Sequence, residues 1–441
     1  MKATIRAAVI ALATVAFATP ASAVDMFGYF RDGWAVNTHG GGMTCFQTPG
    51  MDFKLRLGNE CDNYGEWGIQ TSIYKDKAGV EVTAGVMFNY DQNTGVATGT
   101  NVPFGIQQNY FKMKMPQLAG ATFWGGKQYY ERQNIDMIDF FFLNTSDTGI
   151  GVEDVDVGFG KISFSLFGNG SGNEIFVRPD FRIYGMPINP GGALTIDANL
   201  DYVDRNKDVL PKADTDADVG FWVSVKHDQS GILGGNNMAV VQFATGPGSG
   251  MGNAANNLGV PGCGTATIPV PCDPLNKNQY QFRALDALLL QPNNMFQVLI
   301  GGYYSYKRIA VGDVKGNITA YALFARPKVW LADYFALQGD IGYTALKPGG
   351  DMFEGSGIDK NTGVFKGTIA ATLLPAVGEG GGFYVRPEFR LFVTYASWNQ
   401  NANDLGSLLG RANGASSDVA FNSAADAKAG GTIGVQVEGW F

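Results

Sequence analysis

After residue 23 the chain has no unbroken apolar run approaching the roughly 20 residues that a spanning helix needs, which removes the helical membrane proteins from consideration. Histidine is scarce, with 2 in 441 residues, and no HExxH or Gly-x-Ser-x-Gly pattern accompanies His39 or His227. Hydrolase chemistries that announce themselves by motif have no foothold, and the many carboxylates of an acidic chain do not by spacing alone make a glycosidase pair. Positive charge is not in excess. The 32 Lys+Arg face 40 Asp+Glu, and Lys2 and Arg6 stand in an N-terminal leader, so the remainder carries 30 against 40, a net −10. Nucleic acid, which asks for a basic stripe, is not an expected partner. The four cysteines form no CxxC and lie far in sequence from both histidines, so neither a metal nor a cofactor is expected. The run Gly246–Gly252 is glycine-rich but lacks the Lys-Ser/Thr and the helix of a phosphate-binding loop. No repeat at a solenoid period is visible.

Residues 1–23 read as a cleavable export signal, with Lys2 and Arg6 ahead of the apolar run 7–17 and Ala21-Ser22-Ala23 at the cleavage site. The expected mature chain, 24–441, is one domain. Export leads to an oxidising compartment, where Cys45–Cys61 and Cys263–Cys272 are the simplest pairing, each tying a loop.

Side chains then alternate. At the C-terminus Phe441, Gly439, Val437, Val435 and Ile433 interleave with Trp440, Glu438, Gln436 and Gly434. The same pattern returns in Phe53–Leu57, Trp67–Ile73, Ile162–Leu166, Leu194–Tyr202, Phe221–Val225 and Phe383–Leu391. A strand with lipid on one side and water on the other requires this period of two, so the expected fold is an antiparallel outer-membrane β-barrel. We count about 17 to 19 strand candidates, and bacterial barrels favour even numbers. Glycine-rich tracts at roughly 92–103, 246–278 and 399–429 read as surface loops on one side of the membrane.

Parity also sorts the polar face. Tyr29 falls with Arg31, Tyr64 with Glu66, Tyr384 with Arg386, Glu388 and Arg390, and Trp440 with Glu438. Taken singly, these rings fit equally well as girdle residues at the water interface. Together they suit a sugar, whose flat apolar face stacks on a ring while charged neighbours exchange hydrogen bonds with its hydroxyls. Many weak sites in series permit both entry and exit. The stretch 131–142 does not alternate. It reads either as an inward-folded loop whose Arg132, Asp136 and Asp139 narrow a channel, or as a surface loop with a hydrophobic tuck.

Several of these residues fall in a recognisable order. Val24-Asp25-x-x-Gly28-Tyr29-x-Arg31, Cys45-Phe46-Gln47-Thr48, Arg56-Leu57-Gly58-Asn59-Glu60-Cys61, Trp124-x-Gly126-Lys127, Met137-Ile138-Asp139-Phe140, Asp156–Lys161, Ile188–Gly192, Tyr395-Ala396-x-Trp398 and Glu438-x-Trp440 resemble the maltoporin (LamB-type) family from residue 24 to 441. The resemblance implies an eighteen-stranded homotrimeric channel, embedded in outer-membrane lipid, that passes maltodextrins or related oligosaccharides by facilitated diffusion. It implies that Tyr29, Tyr64 and Trp440 belong to an aromatic slide, with Tyr384 where the family usually has Trp. Arg31, Arg56, Glu66, Arg132 and Asp139 fall on its polar tracks, and the family pairs the first two cysteines. Phe141 stands for the family's constriction Tyr, and Asn134 for an acidic track residue. Residues 92–103 carry no Trp and 244–279 no aromatic, so the entrance is less aromatic and a related sugar, or a broader range, is as well supported as long maltodextrins.

Overall fold

The structure of the chain is a computed structural model that describes residues 24–51, 53–93, 104–171, 174–205, 218–250, 279–311, 314–351, 353–354, 360–375, 382–408 and 428–441. Five strands lead: β1 (Val24–Asn37), β2 (Asp62–Lys75), β3 (Glu81–Asn93), β4 (Phe104–Lys114) and β5 (Thr122–Gln128). A small hairpin follows, β6 (Gln133–Ile135) and β7 (Phe140–Leu143). Then come β8 (Asp147–Asp156), β9 (Lys161–Ser171), β10 (Glu174–Asn189), β11 (Gly192–Arg205), β12 (Asp218–Ile232) and β13 (Gly235–Thr245). The rest are β14 (Tyr280–Leu290), β15 (Phe296–Val311), β16 (Val314–Ala332), β17 (Phe335–Gly349), β18 (Thr362–Leu373), β19 (Glu388–Trp398) and β20 (Ala429–Trp440).

Eighteen of these form one antiparallel sheet, and β6 pairs with β7 apart from it. The sheet closes because β1 pairs with both β2 and β20, so that Tyr29 lies opposite Glu66 on one side and Trp440 on the other. Closure leaves no edge strand and satisfies every ladder, which a sheet in hydrocarbon must do. Connections at one end are mostly short. Leu233 and Gly234 join β12 to β13 with φ of 45° and 77°, the doubly positive turn that suits the twist of a two-residue hairpin. The connections at the other end include the long ones, which marks that end as extracellular.

Outward residues are apolar and exposed, as with Leu323, Ile369 and Leu391, while their neighbours Thr368, Arg390 and Lys366 are buried inside. Two connections fold into the barrel. Residues 38–61 and 129–146 lay Met51, Phe53, Leu55, Ile135, Met137, Ile138, Phe140 and Phe142 against inward-facing Trp222, Val240, Leu285, Leu299, Tyr303 and Phe324. Burial of these side chains, at roughly 1.5–3 kcal/mol each, fixes both segments on the inner wall of β12–β17.

Three sequence expectations change here. Phe53–Leu57 is not a spanning strand: its alternation packs one side on the inner wall and turns Lys54 and Arg56 towards Glu60. Its backbone is held by inward groups, with Leu57 N–H donating to Asp340, and Lys366 and Thr368 donating to the Leu57 carbonyl. Residues 383–387 likewise precede the strand, which starts at Glu388, and Phe383 is buried in the inner apolar cluster. The tract 399–429, read as loop throughout, contains a helix α1 (Gln400–Leu408) whose Ala402 packs with Phe46 and Trp398. The stretch 131–142 takes the inward of its two readings. Cys45 and Cys61 are bonded, whereas Cys263, Cys272 and residues 1–23 lie outside the described residues.

Candidate functional site

Register on three adjacent strands sets the inner wall. One row across β20, β1 and β2 reads Trp440, Tyr29, Glu66, and the next reads Glu438, Arg31, Tyr64. Rings and ions therefore alternate along each strand, while across the strands Trp440 sits beside Tyr29 and Glu438 beside Arg31. The rings run from Trp440 straight across to Tyr29 and then diagonally to Tyr64, and the last two have centroids 6.3 Å apart. A cation lies over each: Arg386 4.5 Å from the Trp440 centroid, Arg56 5.5 Å from Tyr29 and Arg31 5.5 Å from Tyr64. Trp440 keeps 39% of its surface exposed, beside the Arg386 guanidinium that covers part of its ring. Tyr384 is also exposed, at the short-turn end, with its ring edge-on to Phe383 at 5.0 Å.

The ions are joined. Arg56, buried on the first inward segment, pairs with Glu60 at 2.5 Å, Asp136 at 2.5 Å and Glu438 at 2.6 Å, and also donates to the Tyr29 hydroxyl. Tyr29 in turn donates to Glu438 at 2.9 Å. Arg31 reaches Asp62 at 2.5 Å, and Glu60 and Asp139 at 3.8 Å each. Arg386 spans Asp136, Glu388 and Glu438, and Arg390 joins Glu388 to Glu438. Burial opposes charge on Glu60, but Arg31, Lys54 and Arg56 surround it and hold its carboxyl down at about 2. Asp139 sits in the same group with its carboxyl pushed above the usual range, because burial outweighs the pull of Arg56. Removal of a single member leaves a partner charge desolvated, so the network is rigid by construction.

Higher in the lumen the second inward segment adds a clamp. The Arg132 guanidinium lies 4.0 Å from the Tyr129 centroid and 4.3 Å from that of Phe141, and 3.6 Å from Glu66. Glu66 also accepts from Tyr129 at 2.5 Å and from the Tyr64 hydroxyl. This joins the run of rings to the constriction segment. Asn134 is exposed beside it.

Of the residues singled out, Tyr29, Arg31, Tyr64, Glu66 and Trp440 lie on β1, β2 and β20, and Arg56, Arg132, Asn134, Asp139 and Phe141 on the inward segments, whereas Tyr384 stands apart from them on the β18–β19 connection. Tyr129, Glu60, Asp62, Arg326 and Asp340 were missed. The signal for the last two was present: Arg326 and Lys328, then Gln338 and Asp340, interrupt otherwise apolar runs at a spacing of two. Arg326 pairs with Asp340 at 2.9 Å and reaches Asp136 at 3.8 Å.

A second polar patch lies on β10 and β11, where Asp180 and Asp197 are each 1% exposed. Neighbouring cations are committed elsewhere, Arg178 to Asp201 at 2.6 Å and Arg182 to Glu131. None of the four carboxylate oxygens of Asp180 and Asp197 has a hydrogen-bond partner among the described residues. Among those residues no group of histidine, cysteine and carboxylate side chains is arranged to hold a metal ion.

The family model for the LamB porins matches residues 24–441. Among solved structures, OmpT of Vibrio cholerae aligns over 96% of this chain and 99% of its own, with 9% identity and a TM-score of 0.43. The outer membrane channel DcaP of Acinetobacter baumannii covers 95% and 97% with 10% identity and a TM-score of 0.43. OprD of Pseudomonas aeruginosa covers 95% and 94% with 8% identity and a TM-score of 0.45. The family match carries the assignment, and nothing rests on the three distant likenesses.

Proposed function

The chain belongs to the LamB porin family and is an outer-membrane channel rather than an enzyme; from that premise we propose that it conducts maltodextrins or related oligosaccharides by facilitated diffusion. The observation that supports the reading most is the run of Trp440, Tyr29 and Tyr64 on one inner wall, each ring flanked by a cation. A pyranose moving along it exchanges one stacking face for the next while Arg31, Glu66, Arg132 and Asp139 offer hydrogen bonds to its hydroxyls. Each contact is weak, and similar neighbours keep the path nearly level, which favours passage over trapping.

The working unit is proposed to be a homotrimer. Asp32 lies on the outward parity of β1, between exposed Trp34 and the Phe30 ring, and accepts from Tyr90 at 3.0 Å. A carboxylate facing hydrocarbon is costly, and a neighbouring protomer against this wall removes the cost.

A second reading, a general diffusion porin with little sugar affinity, draws on Phe141 and Asn134, each a polar group fewer than the family's pattern. Maltohexaose added to single channels in a bilayer separates the two. Saturable block of ion current is the expected result, and undiminished current at high millimolar sugar selects the general porin.

A further inference from the structure

The outer wall of β13–β17 at the long-connection end carries a feature that the channel does not use. An aromatic band crosses these strands: Phe243 to Tyr280 at 6.3 Å, Tyr280 to Tyr306 at 6.0 Å, Phe282 to Tyr304 at 6.5 Å and Tyr321 to Tyr343 at 6.3 Å. Such a band marks where hydrocarbon gives way to headgroups. At its upper margin, on the same outward parity, stand Arg308, Lys315 and Lys347. Register places Arg308 beside Asn317 and Tyr280, and Lys347 beside Thr319.

Arg308, Lys315, Tyr306, Asn317 and Asp351 line a hollow of about 220 Å³, several times the roughly 30 Å³ that one water occupies in the liquid. Gly350 closes it with φ of +85°, and a Cβ there would sit 3.0 Å from the Lys315 carbonyl. None of the three cations pairs with a carboxylate among the described residues, although Asp351 lies on the same rim. Arg308 has only the Tyr280 ring, 5.9 Å away.

We propose that this hollow binds a phosphate group on a glycolipid headgroup of the outer leaflet. Among the described residues, these three cations at headgroup depth meet one carboxylate, an excess that attracts an anion. The Arg308 guanidinium and the Lys315 ammonium supply the donors that phosphate oxygens accept, Asn317 adds a neutral one, and Lys347, outside the hollow and opposite Thr319, adds positive charge on the same outward face. The tyrosine band beneath takes the upper part of the acyl chains, so the ligand is held as an amphiphile and not as a free ion. The site lies outside the lumen and is independent of the sugar reading.

The test uses detergent-solubilised full-length channel and three probes: bisphosphorylated lipid A, the same lipid with its phosphates removed, and inorganic phosphate. Binding of the first probe is expected. Each cation near a charged lipid surface is worth about 1 kcal/mol, so the triple variant Arg308→Ala, Lys315→Ala, Lys347→Ala should bind it roughly 100-fold more weakly. The triple variant should keep wild-type ion conductance, which shows that it folds, and Lys75→Ala with Lys77→Ala at the opposite end should bind like wild type. Equal binding of the phosphate-free lipid, or unchanged affinity in the triple variant, overturns the proposal. Displacement of lipid A by inorganic phosphate at equal concentration overturns the lipid as the source.

Discussion

Replacement of Arg132 separates charge from geometry at the constriction. Its guanidinium faces two rings at 4.0 and 4.3 Å, and its side chain is 27% exposed. A cation on one ring is worth about 0.5–1 kcal/mol in an exposed place and about 2 when desolvated, so two rings here contribute about 2 kcal/mol. The 3.6 Å pair with Glu66 adds less than about 1 kcal/mol, since it is long, Arg132 is partly solvated and Glu66 already accepts from Tyr64 and Tyr129. About 2 kcal/mol is a factor of roughly 30 in the population with Tyr129 and Phe141 held in place. Arg132→Met keeps the stem and loses the charge. Arg132→Lys keeps the charge but cannot stack as a plane between two rings. Both variants should raise the maltohexaose concentration for half-maximal block by roughly tenfold to thirtyfold. In reversal-potential measurements only the Met variant should shift ion selectivity towards cations. Block by sugar in the Lys variant at wild-type concentration would refute the reasoning, because charge alone would then suffice.

Three further outcomes follow from the same contacts. Cys45→Ser with Cys61→Ser frees a loop of 16 residues; thermal unfolding should show a loss of about 3 kcal/mol with sugar block retained, since other bonds also fix residues 54–60. Asp180→Asn with Asp197→Asn removes two buried carboxylates that lack partners and leaves Arg178–Asp201 and Arg182–Glu131 as neutral pairs, so the melting temperature should rise. A fall would mean that those carboxylates are paired in solution. Asp139 has a raised carboxyl pKa and Glu60 a depressed one, so on acidification Asp139 takes its proton first. Its negative charge is present above that pKa and lost below it, so cation selectivity should drop in an early step that Asp139→Asn abolishes.

The sequence disclosed the barrel where lipid and water face opposite sides of a strand, as in β11 and β20. It was least legible on β14. There Leu285, Ala287 and Leu289 face inward onto the loop segments, so over Ala284–Leu290 both sides are largely apolar, broken only by Asp286, and no period of two shows. The converse error arose at Phe53–Leu57, where an extended segment inside the barrel has one packed and one polar side and so imitates a spanning strand. Site residues followed the same division. Parity sufficed for Tyr29, Arg31, Tyr64, Glu66 and Trp440, which lie on adjacent regular strands. Tyr129 and Glu60 sit on irregular backbone, where no period announces direction, and they enter the site through contacts from residues distant in sequence.

Side-chain direction on β2 offers the most direct test of the conduit. Tyr64 and Trp67 lie three residues apart on one strand, Tyr64 beside Arg31 in the lumen and Trp67 outward, stacked on Tyr90 at 5.1 Å. Titration of single-channel current with maltohexaose should show Tyr64→Ala weakening block by up to about tenfold, the value of one stacking contact, and Trp67→Ala leaving it unchanged. Equal block in both variants, or a loss confined to Trp67→Ala, would contradict the account.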